Sequence, residues 1–283
     1  FSAFVNGRFP EIDITTYEAL HHWSITATDD FWRCIWDYCE VIASEPRGVV
    51  VQDADKMPGA SWFPDARLNF AENLLRFADD REALVEIDES DARCALTYGQ
   101  LREQVARLVG WMRQQGIQPG DRIAGFMPNC IETVVAMLAT ASLGAVWSSC
   151  SPDFGKQGAL DRFGQIGPRV LFTADGYVYN GKACDSLTRA RDIARAIPEI
   201  EHVVVVPKLS AQAALGGIEK AVPWQSCLNG DVKALHFEPR SFNDPLFILY
   251  SSGTTGVPKC IVHGIGGTLI QHATNCLLYT SDA

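Results

Sequence analysis

The stretch Ile248 to Lys259, ILYSSGTTGVPK, places four hydroxyls, two glycines and a lysine within one turn of chain. Phosphates need hydrogen-bond donors that approach closely. Gly253 and Gly256 let backbone N–H groups face an anion with no Cβ in the way. The hydroxyls of Ser251, Ser252, Thr254 and Thr255 can donate as well, and Lys259 closes the turn with a mobile positive charge. The run before it, PLFILY, has the composition of a strand. Strand, hydroxyl–glycine loop and lysine together make a cradle for a polyphosphate. The pattern differs from the common phosphate loop G-x-x-x-x-G-K-[ST]. Here the glycines are three apart, and Pro258, which lacks an N–H, resists the helix that loop needs. On composition alone, a flexible connector accounts for the stretch equally well. Nearby, His263 reads either as a general base or as a side chain orienting the loop by a hydrogen bond, and Cys260 as a packed thiol.

The elements that must hold this loop follow from periodicity. From residue 83 on, strands and helices alternate. EALVEI is a short strand, and Thr97 with Gln100 forms a capping box. Behind it Leu101, Val105, Leu108, Val109 and Met112 fall at helical spacing. RIAGFM, AVWSS, RVLFTA and HVVVVPK read as strands. Between them lie helices near Ile131–Ser142 and Lys156–Ile166 and over SLTRARDIARAI. Residues 208 to 244 read as a long irregular crossing before PLFILY. This alternation predicts a mostly parallel sheet flanked by helices, an α/β fold. Such sheets bind ligands beyond the carboxyl ends of their strands, where Asn129 and the loop SSCSPDFG (148–155) fall.

Residues 1–80 differ. They hold four of the seven tryptophans, in HHWSIT, DDFWRCIWDYC and SWFPDARLNFAENLL. The expectation is an aromatic-rich helical segment packed on a larger body, with a ligand cage as the alternative. Asp29 or Asp30 is placed to cap a helix that turns Phe31, Ile35 and Tyr38 inward. Asn69 and Asn73, one helical turn apart, are placed to cap or bridge to loops.

Composition narrows the function classes. A net charge of −10 argues against a broad nucleic-acid-binding face. Nine cysteines without a C-x-x-C pair fit buried reduced thiols in a cytoplasmic protein, and lack the ligand spacing of a zinc site. Ile131 to Trp147 is the most membrane-like run, yet it is short and carries Glu132, Thr133, Thr140 and Ser142. A buried helix followed by a strand is the better reading, so no membrane insertion is expected.

The string YSSGTTGVPK resembles the phosphate-binding signature of the AMP-forming acyl-CoA synthetase (adenylate-forming) superfamily. LTYGQL, GDRIAGFMPN and ASLGAVWSSCSPDFG are similar to that superfamily in order and spacing. SPDFGKQGALDRFGQIGPRVLFTADGYVYNGK and PKCIVHGIGGTLIQH resemble its acetoacetyl-CoA synthetases. The leading segment is similar to the amino-terminal segment shared by acetyl- and acetoacetyl-CoA synthetases. The resemblance implies ATP with Mg²⁺, and coenzyme A as co-substrate. The carboxylate of acetoacetate attacks the α-phosphorus, pyrophosphate leaves, and the CoA thiol takes the acyl group from the adenylate.

By the same resemblance, Ser251, Ser252, Gly253, Thr254, Thr255 and Gly256 hold the ATP phosphates. Lys259 and Thr254 are the catalytic candidates, and Thr255 lies near the magnesium. In acetyl-CoA relatives the stretch matching YNGK (179–182) offers arginines to the CoA nucleotide. Here only Lys182 keeps a charge, and a solvated surface lysine is the alternative. The implied organisation is an amino-terminal segment over 1–80 and the first part of the AMP-binding domain over 81–275, with the carboxy-terminal part of the fold missing. After Asn275 the resemblance vanishes, so Cys276 to Ala283 reads as a non-native tail. The later adenine, ribose and lysine motifs are absent, and this chain alone is expected to lack ligase activity. Two rivals stand beside this reading: another short-chain acyl-CoA synthetase, for acetate or propionate, and a non-catalytic nucleotide-binding protein that natively ends here.

Overall fold

A computed structural model describes all residues except 46, 212–214, 216, 232–233, 253–255 and 281–283, and leaves out the side chains of 276–280. The chain forms two compact units. One comprises residues 1–73, 239–244 and 264–283, the other residues 74–238 and 245–263.

The first unit begins with helices α1 (Ser2–Arg8), α2 (Tyr17–Thr26) and α3 (Thr28–Tyr38). Short strands β1 (Val51–Gln52), β2 (Ser61–Trp62) and β3 (Arg67–Leu68) follow, then α4 (Phe70–Leu74). Ile35 is buried as its spacing predicts. The aspartates of α3 do not cap it. The helix starts at Thr28, so Asp29 and Asp30 lie in its first turn, where carboxylates meet the positive helix end.

The two asparagines do what their spacing suggests. Asn69 Oδ1 accepts from Ala71 N at 2.9 Å and Glu72 N at 3.2 Å, capping α4. Asn73 bridges both ways to Ile42, donating to its carbonyl at 2.9 Å and accepting from its N–H at 2.8 Å. The aromatic residues pack mainly on one another. The Phe63 ring lies 4.9 Å from both Trp36 and Phe242, the latter from the segment 239–244.

The second unit opens with the antiparallel pair β4 (Glu82–Ile87) and β5 (Arg93–Thr97), then α5 (Tyr98–Gln114). The capping box forms as read: Gln100 N donates to Thr97 Oγ1 at 3.2 Å, and Thr97 N to Gln100 Oε1 at 2.9 Å. EALVEI is thus a strand, but of its own small sheet. The main layer comes from β6 (Arg122–Phe126), α6 (Ile131–Ser142), β7 (Val146–Cys150), α7 (Gly155–Phe163) and β8 (Val170–Ala174). A hairpin, β9 (Gly176–Tyr179) and β10 (Lys182–Asp185), precedes α8 (Leu187–Ala196), β11 (His202–Val206), β12 (Ala221–Pro223) and the short α9 (Trp224–Cys227). β13 (Arg240–Ser241), which belongs to the first unit and pairs there with β3, precedes β14 (Pro245–Tyr250) and β15 (Cys260–Gly264), and α10 (Ile265–Thr280) returns to the first unit.

The main sheet has seven strands in the order β12-β11-β8-β6-β7-β14-β15, with β12 through β14 parallel. The expected α/β architecture with a mostly parallel sheet is what the chain forms. Its crossing segment is less irregular than the sequence suggested, because Ala221–Pro223 adds the edge strand β12. A three-residue edge strand carrying a proline has no helical or alternating pattern to betray it. β8, buried throughout, and β11, buried except at His202, pack Leu171, Val203 and Val205 against Ala190 and Ile193 of α8.

Gly125 shows how tightly the layer is built. A Cβ there would lie 2.7 and 2.8 Å from the ring of buried Trp147 on β7. Gly125→Ala is therefore expected to destabilise by about 1–3 kcal/mol through overpacking. Calorimetry checks this, and an unchanged melting temperature would mean that the indole moves aside freely.

Candidate active site at the carboxyl edge of the sheet

Parallel strands send their carboxyl ends to one edge, and the loops after β6, β7 and β14 leave from there. Tyr250 ends β14 and leads into the hydroxyl–glycine loop. Its hydroxyl lies 2.9 Å from Ser148 Oγ, which also donates to Ile248 O at 2.7 Å. Burial pushes the Tyr250 hydroxyl up to about 12, so it stays protonated at neutral pH.

The neck of the loop is closed by two bonds. Ser251 N donates to Lys259 O at 3.1 Å, and Lys259 N donates to Ser251 Oγ at 3.0 Å. Ser251 spends one lone pair on this neck, and its hydroxyl proton has no acceptor among the described residues. Lys259 is exposed, and no carboxylate among the described residues pairs with its ammonium. Ser252 and Gly256 are exposed on the two sides of the loop. Gly253, Thr254 and Thr255 lie outside the described residues. The chain then enters β15 rather than a helix, as Pro258 foretold. His263 sits partly buried on β15, while Cys260 is exposed rather than packed.

Helix α7 backs this loop. Gln165, in the turn after α7, donates from Nε2 to Pro258 O at 2.8 Å, and its Oε1 lies 3.6 Å from Cys260 Sγ. Arg162, only 7% exposed, stacks between Phe154 at 4.1 Å and Tyr250 at 5.7 Å. Neither was singled out from sequence. The signal was there in Arg162: it shares a helical face with buried Ala159 and Phe163, where an arginine needs a reason.

The neighbouring loops are tied by charge. Lys208, after β11, lies 2.9 Å from both Glu86 Oε1 and Glu132 Oε2. Glu86 Oε2 also accepts from Ile131 N at 2.9 Å, at the start of α6. Burial works against the ammonium, but Glu132 and Glu86 outweigh it and hold Lys208 above the ordinary lysine range. Asp175, after β8, accepts from the N–H groups of Lys208 at 2.7 Å and Leu209 at 2.9 Å. Burial pushes the Cys130 thiol up to about 11 and Cys150 up to about 12, so neither is a ready nucleophile.

Lys182 begins β10 and is exposed. Glu89 accepts from the turn beside it, from Asn180 N and Gly181 N at 2.8 Å each. No described contact joins Lys182 to the loop at 251–259. Among the described residues no cluster of acidic, histidine or cysteine side chains has the form of a metal site, and no helix is long and apolar enough to cross a membrane.

The chain is similar to known proteins over most of its length. Residues 17–74 match the acetyl-coenzyme A synthetase N-terminus, and residues 70–282 match the AMP-binding enzyme family. The acetoacetyl-coenzyme A synthetase of Rhizobium meliloti (strain 1021) is 48% identical over 258 residues, covering 90% of this chain and 39% of that protein. The Danio rerio acetoacetyl-CoA synthetase is 40% identical over 289 residues, covering 99% of this chain and 43% of its own length. Malonamoyl-CoA synthetase vrtB of Penicillium aethiopicum is 43% identical over 285 residues, covering 94% and 39%. The solved acetoacetyl-CoA synthetase from Streptomyces lividans superposes with a TM-score of 0.91 at 40% identity, over 96% of this chain and 42% of that one. The chain thus spans about two fifths of the length of these relatives. A family match running from residue 70 to residue 282, through the neck-closed loop, makes the chain a member of the AMP-binding enzyme family.

Proposed function

We propose that this chain is the part of an acetoacetate–CoA ligase that holds the ATP phosphates while acetoacetate is adenylated. The observation that carries the reading is the neck-closed hydroxyl–glycine loop at the carboxyl edge of a parallel sheet, with an exposed lysine at its exit. Backbone N–H groups and hydroxyls of Ser251 to Gly256 hold the β- and γ-phosphates. Lys259 neutralises charge that shifts toward the departing pyrophosphate. Thr254 and Thr255 are the hydroxyls that would be offered to nucleotide-bound magnesium in this reading, and that ion would supply neutralisation of phosphate charge. The described residues fit such a load: a lysine ammonium that no described carboxylate pairs with, a Ser251 hydroxyl with no described acceptor, and Gly256, where a Cβ would meet nothing within 4 Å.

Acyl transfer to coenzyme A completes the reaction, and Lys182 is the residue of this chain proposed to meet the CoA nucleotide. The substrate class rests on the relatives. Acetoacetyl and malonamoyl groups are both short acyl chains with a second carbonyl two carbons from the first. A 3-oxo acid of that size is therefore the preferred substrate over acetate or propionate, and the cytoplasm is the proposed location.

The test has two arms. The chain is titrated with Mg·ATP by calorimetry, and residues 1–275 are joined to the remainder of the Rhizobium meliloti synthetase. Micromolar to millimolar binding and acid-dependent pyrophosphate–ATP exchange by the hybrid are expected. A folded hybrid without exchange, together with a chain that ignores Mg·ATP, would overturn the proposal.

A further inference from the structure

We propose that Arg162 and Gln165 are positioning residues for the phosphate loop: the α7 region grips both stems, and Arg162 supplies beneath them a positive charge that polyphosphate completes. The inference rests on the reading of the loop given above.

The two grips are on opposite sides of the loop. Tyr250 is the last residue before it, and the Arg162 guanidinium faces its ring at 5.7 Å. Pro258 is close to the last residue after it, and Gln165 Nε2 holds its carbonyl at 2.8 Å. Gln165 is itself fixed by a second donation, to Asp161 O at 2.5 Å. Two residues, one on the last turn of α7 and one just after it, therefore set where the loop leaves the sheet and where it returns. A loop that must present several donors to one anion gains from such fixed ends, because less of its freedom is lost on binding.

The charge argument is separate. Arg162 is buried, and its guanidinium donates from Nη1 to Gly158 O at 2.7 Å. No carboxylate among the described residues pairs with it. Its other close neighbours are the faces of Phe154 and Tyr250. Gly158 helps it fit, since a Cβ there would come within 3.1 Å of Phe154 Cβ and 3.5 Å of Arg162 Nη1. Buried charges are ordinarily paired. An arginine held by ring faces and one carbonyl keeps most of its charge for an anion that arrives later, and in this low-dielectric setting its field is weakly screened. A purely structural arginine at this place would be expected to bring its own carboxylate.

The experiment uses the whole 283-residue chain, with Mg·ATP and Mg·tripolyphosphate as probes, and follows affinity, its salt dependence and the melting temperature. Arg162→Met keeps the packing and removes the charge, and it should weaken tripolyphosphate about 10-fold with a shallower salt dependence. Arg162→Lys keeps the charge and should stay within about 3-fold of the parent. Gln165→Glu removes the donor to Pro258 and should weaken both probes about 5-fold. Gln157→Ala, at the exposed start of α7, serves as the control and should bind as the parent does.

Parent-like affinity in Arg162→Met overturns the charge role. Equal losses in the Met and Lys variants that track their melting temperatures reduce Arg162 to packing, and also overturn it. If Arg162→Met does not fold, Arg162→Lys and Gln165→Glu still decide the matter. A parent chain that binds neither probe removes the loop reading itself and this inference with it.

Discussion

Lys208→Met is expected to cost the second unit about 3–5 kcal/mol, because it leaves two largely buried carboxylates facing each other without their shared cation. The side chains of Lys208, Glu86 and Glu132 are each 21% exposed, so solvent screens this triad only in part. The sign of the pH dependence follows from the direction of the Lys208 shift. Its pKa is raised on folding, with Glu132 and Glu86 overcoming the opposing effect of burial. The stabilisation is therefore complete below the ordinary lysine value, about 10.4, and is lost only as pH climbs through the higher folded value. The parent should show no loss from this source anywhere near neutrality. Urea unfolding of both chains at neutral and alkaline pH measures this, and the difference between them should narrow only above about 10.4. A variant as stable as the parent at neutral pH would show that the triad carries little net energy.

Lys259→Ala is expected to weaken Mg·ATP binding by about 10- to 100-fold, the range for losing one charge-assisted contact to phosphate. Stability should hardly change. The lysine side chain is exposed, while the neck of the loop is made by the backbone of Lys259 and the hydroxyl of Ser251. Ser251→Ala separates the two functions, since it removes the acceptor for Lys259 N and leaves the ammonium in place. It should loosen the neck and give a smaller loss of affinity, about 5-fold. Calorimetric titration beside a thermal melt distinguishes these outcomes. Unchanged affinity in Lys259→Ala would take the lysine out of the phosphate site.

Much of the scaffold could be read directly from residue types. The Thr97–Gln100 capping box, α6 and β14 appear where local chemistry put them, because each is specified by its own few residues. The loop was legible for the same reason: its glycines, hydroxyls, proline and lysine are contiguous. What escaped notice depends on partners far along the chain. The role of Ser148 emerges only when β14, a hundred residues later, lies beside it. Gln165 meets Pro258 across 93 positions, and Lys208 meets Glu86 across 122. β15 was missed because CIVHG is short and lies just after a loop whose chemistry draws the eye. Asp29 and Asp30 misled by a single turn, since several acidic and hydroxyl residues compete for the start of α3 and the backbone begins at Thr28.

The first unit is assembled from residues 1–73, 239–244 and 264–283. That has a consequence for synthesis on the ribosome. Its first helices are made early, but its strand β13 and helix α10 are made about 165 to 190 residues after residue 73, on the order of 10–40 s later at usual elongation rates. Until then Trp36 and Phe63 wait for Phe242 with their rings uncovered. The second unit is mostly continuous from residue 74 and can acquire most of its layers first. The unit written first is thus the one whose last pieces are made late, after most of the layers of the other unit.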